Sequence, residues 1–445
     1  MRKTMCILEF LFFMIFFGGA SNGASETLYN EEEFKQLCKI LKVAEGEPAP
    51  IPDELGKFLE TRKILEKLLR STKTSMATYQ KVIQLKSSDK EDAEFVSYTV
   101  KRRIANEKIK HAMEKANDVY NRMEEELIKA KKERTLARSN LVHAIYGVQV
   151  GELPKEENIT DVLQNVSKAS IFNRWGGNKK INVHDDVPKD PTCGATTGEG
   201  AGFTLINDFY CLCVGKDNAK AVCHEKIRGP CCCCKDCTKS CQCDNSCDCS
   251  NCNKCEGCEH HKSWMYLFDV ENSKIVDVPE GWKLIREACN GTFKEAVNTT
   301  AESIQEVLDE FNKLLGNNTK KITGNSDAEN ESRRLVVLGY VSRMNGDYNS
   351  CTGKENAVCV DYWTVLNNRH GIVWHTFMVQ AQKHLKTMDK HVKKAQQLSA
   401  MIQKLKESAE ESYRNSTHGS LLWSEDKGFR KNICHLFFVF LAFLV

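Results

Sequence analysis

Apolar residues recur at three- and four-residue steps along three long stretches of this chain. Such spacing places them on one face of an α-helix, and when sustained between charged faces it is typical of a coiled-coil seam. The first stretch begins at Leu55 and is interrupted by Ser87-Ser88-Asp89, which predicts a helix of about 33 residues and about 50 Å. Its apolar positions are Leu55, Phe58, Leu65, Leu68, Thr72, Met76, Tyr79 and Ile83.

The second stretch follows this interruption, where Asp89 is suited to cap a helix N-terminus. It runs to about Val148, with Gly147 and Gly151 at its end, and predicts a helix of about 60 residues and about 90 Å. Two such helices joined by a short turn predict an antiparallel hairpin over residues 55–148. The longer helix must overhang the first or pack on another part of the chain. Its apolar positions are Phe95, Ile109, Ala112, Ala116, Val119, Met123, Leu127, Ala130, Ala137, Leu141, Ala144 and Val148.

The third stretch, residues 374–412, comes close to a perfect heptad repeat and predicts a helix that can lie along the hairpin. Shorter helices are predicted at about 30–44 and about 296–315. Proline is scarce, with 8 in 445 residues, which favours long helices because proline breaks them. We therefore predict a mainly α fold, an elongated antiparallel long-helix hairpin (a coiled-coil bundle) with a disulfide-rich loop lobe. The apolar positions of the third stretch are Met378, Ala381, Leu385, Met388, Val392, Ala395, Leu398, Ile402, Leu405 and Ala409.

A hydrophobic segment also stands at each end of the chain. Residues 1–20 begin with Arg2 and Lys3, continue through an apolar run and finish on small residues, the order of a secretory signal peptide. Residues 433–445 are almost wholly apolar and are predicted to end a GPI-attachment signal, which needs a polar spacer and small residues before the tail. A short C-terminal membrane helix is the alternative.

The predicted attachment signal covers residues 416–445, and it would be removed together with the signal peptide. The candidate attachment residues are Asn415, Gly419 and Ser420, of which Ser420 leaves a spacer of about twelve residues. We expect the mature protein to be a helical ectodomain over residues 21–415, tied to the outer leaflet of the plasma membrane by lipid alone.

Cysteine usage supports an oxidising compartment. The chain has 22 cysteines, of which Cys6 and Cys434 lie in the two terminal segments, and an even set behind a secretory signal predicts disulfides. The remaining candidates are Cys38, Cys193, Cys211, Cys213, Cys223, Cys231, Cys232, Cys233, Cys234, Cys237, Cys241, Cys243, Cys247, Cys249, Cys252, Cys255, Cys258, Cys289, Cys351 and Cys359.

The cysteines are densest between Cys231 and Cys258, inside a predicted Cys-rich lobe at 190–290. In a reducing compartment such spacing would favour a Zn or Cu cluster, which is the alternative to disulfides here. Adjacent cysteines rarely bond to each other, because disulfide geometry needs Cα atoms about 5–6 Å apart. Each of the four consecutive cysteines 231–234 is therefore expected to pair at a distance, within the block or with Cys193, Cys211, Cys213 or Cys223.

Glycosylation sequons agree with a secretory route, since N-x-[ST] is the acceptor pattern for N-linked glycans. The candidate acceptors are Asn158, Asn165, Asn290, Asn298, Asn317, Asn330 and Asn415.

Charge and motifs exclude several classes of function. The formal net charge is +3, which gives no electrostatic case for nucleic acid. No G-x-S-x-G or H-E-x-x-H motif is present, and no cysteine is singled out as a nucleophile. The histidines are most simply explained as core, solvated or interfacial residues. We therefore predict neither an enzyme nor a cofactor, and no small-molecule substrate.

Two sequence motifs resemble those of a known protein family. Residues 30–38 read Asn-Glu-Glu-Glu-Phe-Lys-Gln-Leu-Cys, and residues 200–213 read Gly-Ala-Gly-Phe-Thr-Leu-Ile-Asn-Asp-Phe-Tyr-Cys-Leu-Cys. With the helix hairpin, the sequons and the terminal segments, they resemble the variant surface glycoproteins of trypanosomes, specifically the B-type N-terminal domain. The chain departs from that family in its denser cysteine block. It also has no separate Cys-rich domain between the last helix and the anchor. In this respect it resembles the shorter, single-domain members of the family.

The resemblance implies a homodimeric, GPI-anchored coat glycoprotein that shields the cell surface and evades host antibodies by antigenic variation. Two alternatives stay open. One is a surface receptor of the same fold for a host serum macromolecule, and the other is a metal-storing or metal-sensing surface protein.

The cysteine chemistry has a direct test. We expect the intact mass of the mature protein to rise by two hydrogen atoms for every disulfide when a reductant is added, with no bound Zn or Cu before reduction. Free thiols together with bound metal in the unreduced protein would contradict the disulfide interpretation.

Overall fold

The computed structural model describes residues 28–75, 77, 90–172, 192–194, 200–214, 221–229, 264–272, 274–293, 297–319, 332–341, 351–353, 357–369 and 371–417. Its helices are α1 (Glu31–Glu45), α2 (Glu54–Thr72), α3 (Lys90–Tyr146), α4 (Ile159–Gln164), α5 (Lys168–Ile171), α6 (Leu205–Cys213), α7 (Val278–Thr292), α8 (Ala301–Leu314), α9 (Trp363–Asn367) and α10 (Val373–Thr417), with a 3₁₀ turn at Glu156–Asn158. Its strands are β1 (Ala221–His224), β2 (Ile227–Arg228), β3 (Leu267–Asp269), β4 (Lys274–Val276), β5 (Val337–Gly339) and β6 (Cys359–Asp361).

Helices α3 and α10 run antiparallel and form the long axis of the molecule. Glu133 of α3 contacts His384 of α10 with 2.7 Å between Oε2 and Nδ1, and towards the other end of α3 Ile109 packs in one apolar cluster with Ile402. Residue numbers therefore rise along α3 as they fall along α10. With 57 residues, α3 is about 85 Å long.

Helix α2 completes a three-helix bundle, which we call the stalk. It runs antiparallel to α3, because Asn106 Nδ2 donates to the carbonyl of Leu69 at 2.9 Å while Phe58 stacks on Tyr120 with 4.1 Å between ring centroids. The predicted seams meet in the core of this bundle. Its buried apolar residues are Phe58, Leu65, Ile109, Ala112, Ala116, Val119, Met123, Leu127, Ala395, Leu398, Ile402 and Ala409.

The predicted first helix is interrupted well before residue 87, and residues 76 and 78–89 of that prediction lie outside the described residues. Helix α2 ends at Thr72 and not near residue 87, and Lys73 has extended backbone angles of φ −64° and ψ 123°. The sequence Ser71-Thr72-Lys73-Thr74-Ser75 explains this end, because Ser and Thr hydroxyls compete with the backbone for helical hydrogen bonds. With 19 residues, α2 is about 28 Å long. Among the described residues the main partner of α3 is α10, and α2 packs antiparallel on α3 as the predicted hairpin requires.

The other predicted helices are present with shifted ends. Helix α3 begins at Lys90 and ends at Tyr146, directly before Gly147, whose φ of +79° suits glycine. Helix α8 begins at Ala301, later than the predicted residue 296, because Thr300 and Ser303 form a reciprocal capping box. Helix α10 continues to Thr417, past the predicted end at residue 412.

The remaining elements form a compact lobe, the head, around the end of the stalk where α3 ends and α10 begins. Helix α1 lies between α8, α7, α6 and β1, and nine of its fifteen residues are buried. A four-stranded antiparallel sheet follows the order β1-β2-β3-β4, and β5 pairs with β6. Among the described helices, none is long and apolar enough to cross a membrane.

The stalk core can be tested with two leucines of the same helix. Leu65 is fully buried between α2 and its partners, whereas the side chain of Leu59 is 52% exposed. We expect Leu65→Ala to lower the free energy of unfolding by about 2–4 kcal/mol, through lost burial and the cavity left behind. The matched Leu59→Ala should cost less than about 1 kcal/mol. Chemical denaturation followed by circular dichroism measures both, and equal losses would show that α2 does not pack as described.

Candidate functional site: a disulfide-bonded head on a helical stalk

One buried carboxylate fixes the register between the two long stalk helices. Glu126 of α3 has a side chain only 5% exposed, and it accepts a hydrogen bond from Lys394 Nζ at 2.8 Å and contacts His391 Nδ1 at 2.7 Å. Lys129 of α3 contacts it at 3.2 Å. The hydrogen bond from Lys394, and to a smaller extent the contact with His391, lowers the pKa of Glu126 to about 2. Sliding α10 along α3 would take Lys394 and His391 away from this buried carboxylate and leave it with Lys129 alone, which is costly.

Four disulfides of the described residues lie in the head: Cys38–Cys289, Cys193–Cys211, Cys213–Cys223 and Cys351–Cys359. The first joins α1 to α7 across 251 residues of sequence. Cross-links over long loops remove the most entropy from the unfolded chain, so this one contributes about 5 kcal/mol in that account.

These four disulfides also limit the possible partners of the cysteines in the block from Cys231 to Cys258. Cys193, Cys211, Cys213 and Cys223 bond among themselves, so none of them is the partner of the consecutive cysteines 231–234. The block from Cys231 to Cys258 lies outside the described residues.

Asn30 anchors the start of the folded chain. It is fully buried, and its Nδ2 donates to the carbonyls of Leu212 at 2.8 Å and Val358 at 2.7 Å. Its Oδ1 accepts from the backbone N–H of Tyr340 at 2.8 Å, and its own N–H donates to the carbonyl of Val222 at 2.8 Å. Through its side chain and its backbone N–H, this one residue joins the end of α6 to both β-structures, which explains why the first sequence motif begins with this asparagine.

Asp208, in the second motif, joins the head to α10. Its Oδ2 accepts hydrogen bonds from the Tyr362 hydroxyl and from Trp374 Nε1, both at 2.7 Å. Its Oδ1 accepts from the backbone N–H of Gly202 at 2.9 Å. Gly202 has a φ of +72°, and a Cβ there would lie 2.9 Å from Ile372, so the motif requires glycine at this point. Complete burial raises the pKa of Asp208 to about 6 despite these donors.

Two further buried groups of the head, an ion pair and a histidine, also have structural partners. Arg333 pairs with Asp361 at 2.5 Å, and both side chains are almost completely buried. His375 lies against the Phe311 and Trp374 rings, and burial lowers its pKa. Among the described residues, no group of three or more His, Cys, Asp or Glu side chains could hold a metal ion.

The histidines predicted to be core, solvated or interfacial fall into those classes where they are described. His384 and His391 lie between α3 and α10 against carboxylates. His143 packs edge-on against Phe377 with ring centroids 5.4 Å apart, and His111 is exposed. His370 lies outside the described residues.

Most of the candidate glycan acceptors lie on the surface. Asn290 differs, because it is partly buried in α7 and its Oδ1 accepts a hydrogen bond from Lys42 Nζ. Asn330 lies outside the described residues, as do the anchor candidates Gly419 and Ser420. Asn415, which is a candidate both for N-glycosylation and for attachment of the GPI lipid, lies exposed near the end of α10. The exposed acceptors are Asn158, Asn165, Asn298, Asn317 and Asn415.

Comparison with known families gives one finding. A B-type family model described as Trypanosomal VSG domain matches residues 72–404, which is more than half of the chain and includes α3, most of the head and most of α10. No curated protein matches the chain.

The role of Asp208 can be tested through the pH dependence of stability. Its pKa in the folded protein, about 6, lies above the ordinary value of 3.8, so folding favours the protonated form. This contribution is complete below about pH 4 and is lost as the pH rises to about 6. We expect the wild-type free energy of unfolding to fall over this range, relative to Asp208→Asn, by up to about 3 kcal/mol.

Denaturation at a series of pH values measures this difference in slope, independently of any constant loss that the substitution causes. Asp118 is exposed on α3, and Asp118→Asn should keep the wild-type slope. If Asp208→Asn also kept that slope, the carboxylate would not be buried as described.

Proposed function

This chain belongs to the trypanosomal VSG domain family, and we propose from that membership that it is a variant surface coat glycoprotein. In this proposal a GPI lipid holds it on the outer leaflet of the plasma membrane, where it shields the cell from host antibodies by antigenic variation.

The observation that carries the proposal is the arrangement of the two ends of the stalk. Helix α3 ends and α10 begins in the head, whereas α10 runs to Thr417 at the opposite end of the stalk. A lipid attached at Asn415, Gly419 or Ser420 would therefore lie far from the head. The stalk would then stand away from the membrane and hold the head outwards.

The mechanism is a physical barrier and involves no reaction. Helices about 10–12 Å across with their side chains give a three-helix bundle a cross-section much smaller than its length, so many copies can stand side by side. Antibodies would then meet the outer loops of the head. We propose that the loops of the segment 211–258, which follow the buried helical residues 211–213, form the variable surface, because disulfides hold loops in place without requiring a conserved apolar core.

Glycans and a second copy of the chain are parts of the same proposal. The exposed acceptors Asn298 and Asn317 flank α8 on the head, where N-linked glycans would cover additional surface, and removal of glycans followed by mass spectrometry would identify the occupied sites. The homodimer has support in apolar side chains exposed on the stalk, with Ile128 59% and Met401 48% exposed. Analytical ultracentrifugation of the purified protein would show the oligomeric state.

The anchor is tested by release from intact cells. We expect phosphatidylinositol-specific phospholipase C to release the protein into the medium, with a surface copy number high enough to cover the cell. A matched chain lacking residues 433–445 should be secreted without treatment, because the attachment signal needs its apolar tail. Retention of the protein after treatment, with a known GPI-anchored protein released from the same cells, would refute the anchor. A low copy number would refute the coat.

A further inference from the structure

A groove of about 500 Å³ lies between α3 and α10 in the half of the stalk remote from the head. It opens on the side of α3 that α2 does not cover, since α2 contacts α3 through Arg102 and Asn106. One wall carries the basic side chains Lys101, Lys108, His111 and Lys115, and the facing wall on α10 carries Ser408, Ser412 and Asn415.

The three lysines form a regular line. They are seven residues apart, which places them on one face of the helix at intervals of about 10.5 Å and over a total of about 21 Å. All three are exposed. Within the described part of the chain none of them has a carboxylate within ion-pair distance, whereas Lys129 and Lys394 are both paired with Glu126.

Positive charge is concentrated around this groove although the whole chain is nearly neutral. Residues 101–117 of α3 carry six basic residues (Lys or Arg) and two glutamates. Residues 118–146 also carry six basic residues, but these are accompanied by five acidic residues. Glu411 is the acidic residue in the groove lining. A concave surface with an excess of one sign concentrates oppositely charged ligands.

We propose that this groove binds a linear sulfated polysaccharide. A linear ligand fits because the lysines follow the helix axis, and a planar lipid surface would meet only the end of the line. Single-stranded nucleic acid is held largely by stacking on aromatic rings, and no Phe, Tyr or Trp lines the groove. The hydroxyl groups of Ser408 and Ser412 can donate hydrogen bonds to sulfate and sugar oxygens. Binding of this kind goes beyond shielding and would give the stalk a capture function.

The test uses heparin as the probe and the full chain, purified in detergent. We expect binding at physiological salt that weakens as salt is raised, because ions bound to the polyanion are released. The variant Lys101→Gln/Lys108→Gln/Lys115→Gln should bind at least about tenfold more weakly, as expected from the loss of several charge-assisted contacts, with a shallower salt dependence.

A matched variant removes the same charge elsewhere. Lys131, Lys132 and Lys390 are exposed on the same two helices nearer the head, and Lys131→Gln/Lys132→Gln/Lys390→Gln should bind heparin within about twofold of wild type, since no charge in the groove is lost. Circular dichroism should show the same helicity in all three proteins. The proposal is overturned if wild type does not bind heparin, or if the two variants lose affinity equally. It is also overturned if single-stranded DNA or vesicles containing phosphatidylserine bind as tightly as heparin through the same lysines.

Discussion

The packing of α10 against α3 is the interaction on which the rest of this structure depends. The apolar stripe of α10 passes through both cores. Its first half, with Met378, Leu385 and Met388, belongs to the core of the head, and its second half, with Leu398 and Ile402, belongs to the core of the stalk. Because one helix contributes to both cores, the head is held rigidly on the end of the stalk.

The chemistry along this contact explains why a helix of 45 residues is stable and has one register. Isolated helices gain little from propensity alone, and tertiary packing of an apolar face supplies most of their stability. Small residues such as Ala112, Ala116 and Ala395 let the backbones approach, and Glu126 specifies the register through charge. At the head end, Trp374 and Tyr362 reach Asp208, so the beginning of α10 is tied to the motif at 200–213. These features give an elongated molecule with a disulfide-bonded head at one end and a three-helix stalk at the other.

Sequence reasoning could predict the long helices, because a heptad pattern over tens of residues has few other solutions. It could not predict that α2 stops at Thr72, since an apolar residue continues the pattern at Met76 and only the local Ser/Thr content indicates an end. The short strands were also missed, because three-residue strands such as Leu267–Asp269 are too short for an alternating pattern. The disulfide pairs depend on tertiary distances, as the bond between Cys38 and Cys289 illustrates. Asn30 and Asp208 were inside the quoted motifs, but their roles as buried hydrogen-bonding centres require partners more than 150 residues away, such as Val358 and Trp374.

The most direct test of the antiparallel α3–α10 contact is zero-length carbodiimide coupling of the native protein, followed by mass spectrometry of its peptides. Such coupling joins a carboxylate to an amine only where the two groups are in contact. The structure predicts an amide between Glu126 and Lys394, whose Oε1 and Nζ are 2.8 Å apart, and coupling of Glu126 to Lys129 within α3 reports that the carboxylate has reacted. Coupling of Glu126 to Lys404 or Lys406 instead, or to Lys129 with no residue of α10, would contradict this account of the fold.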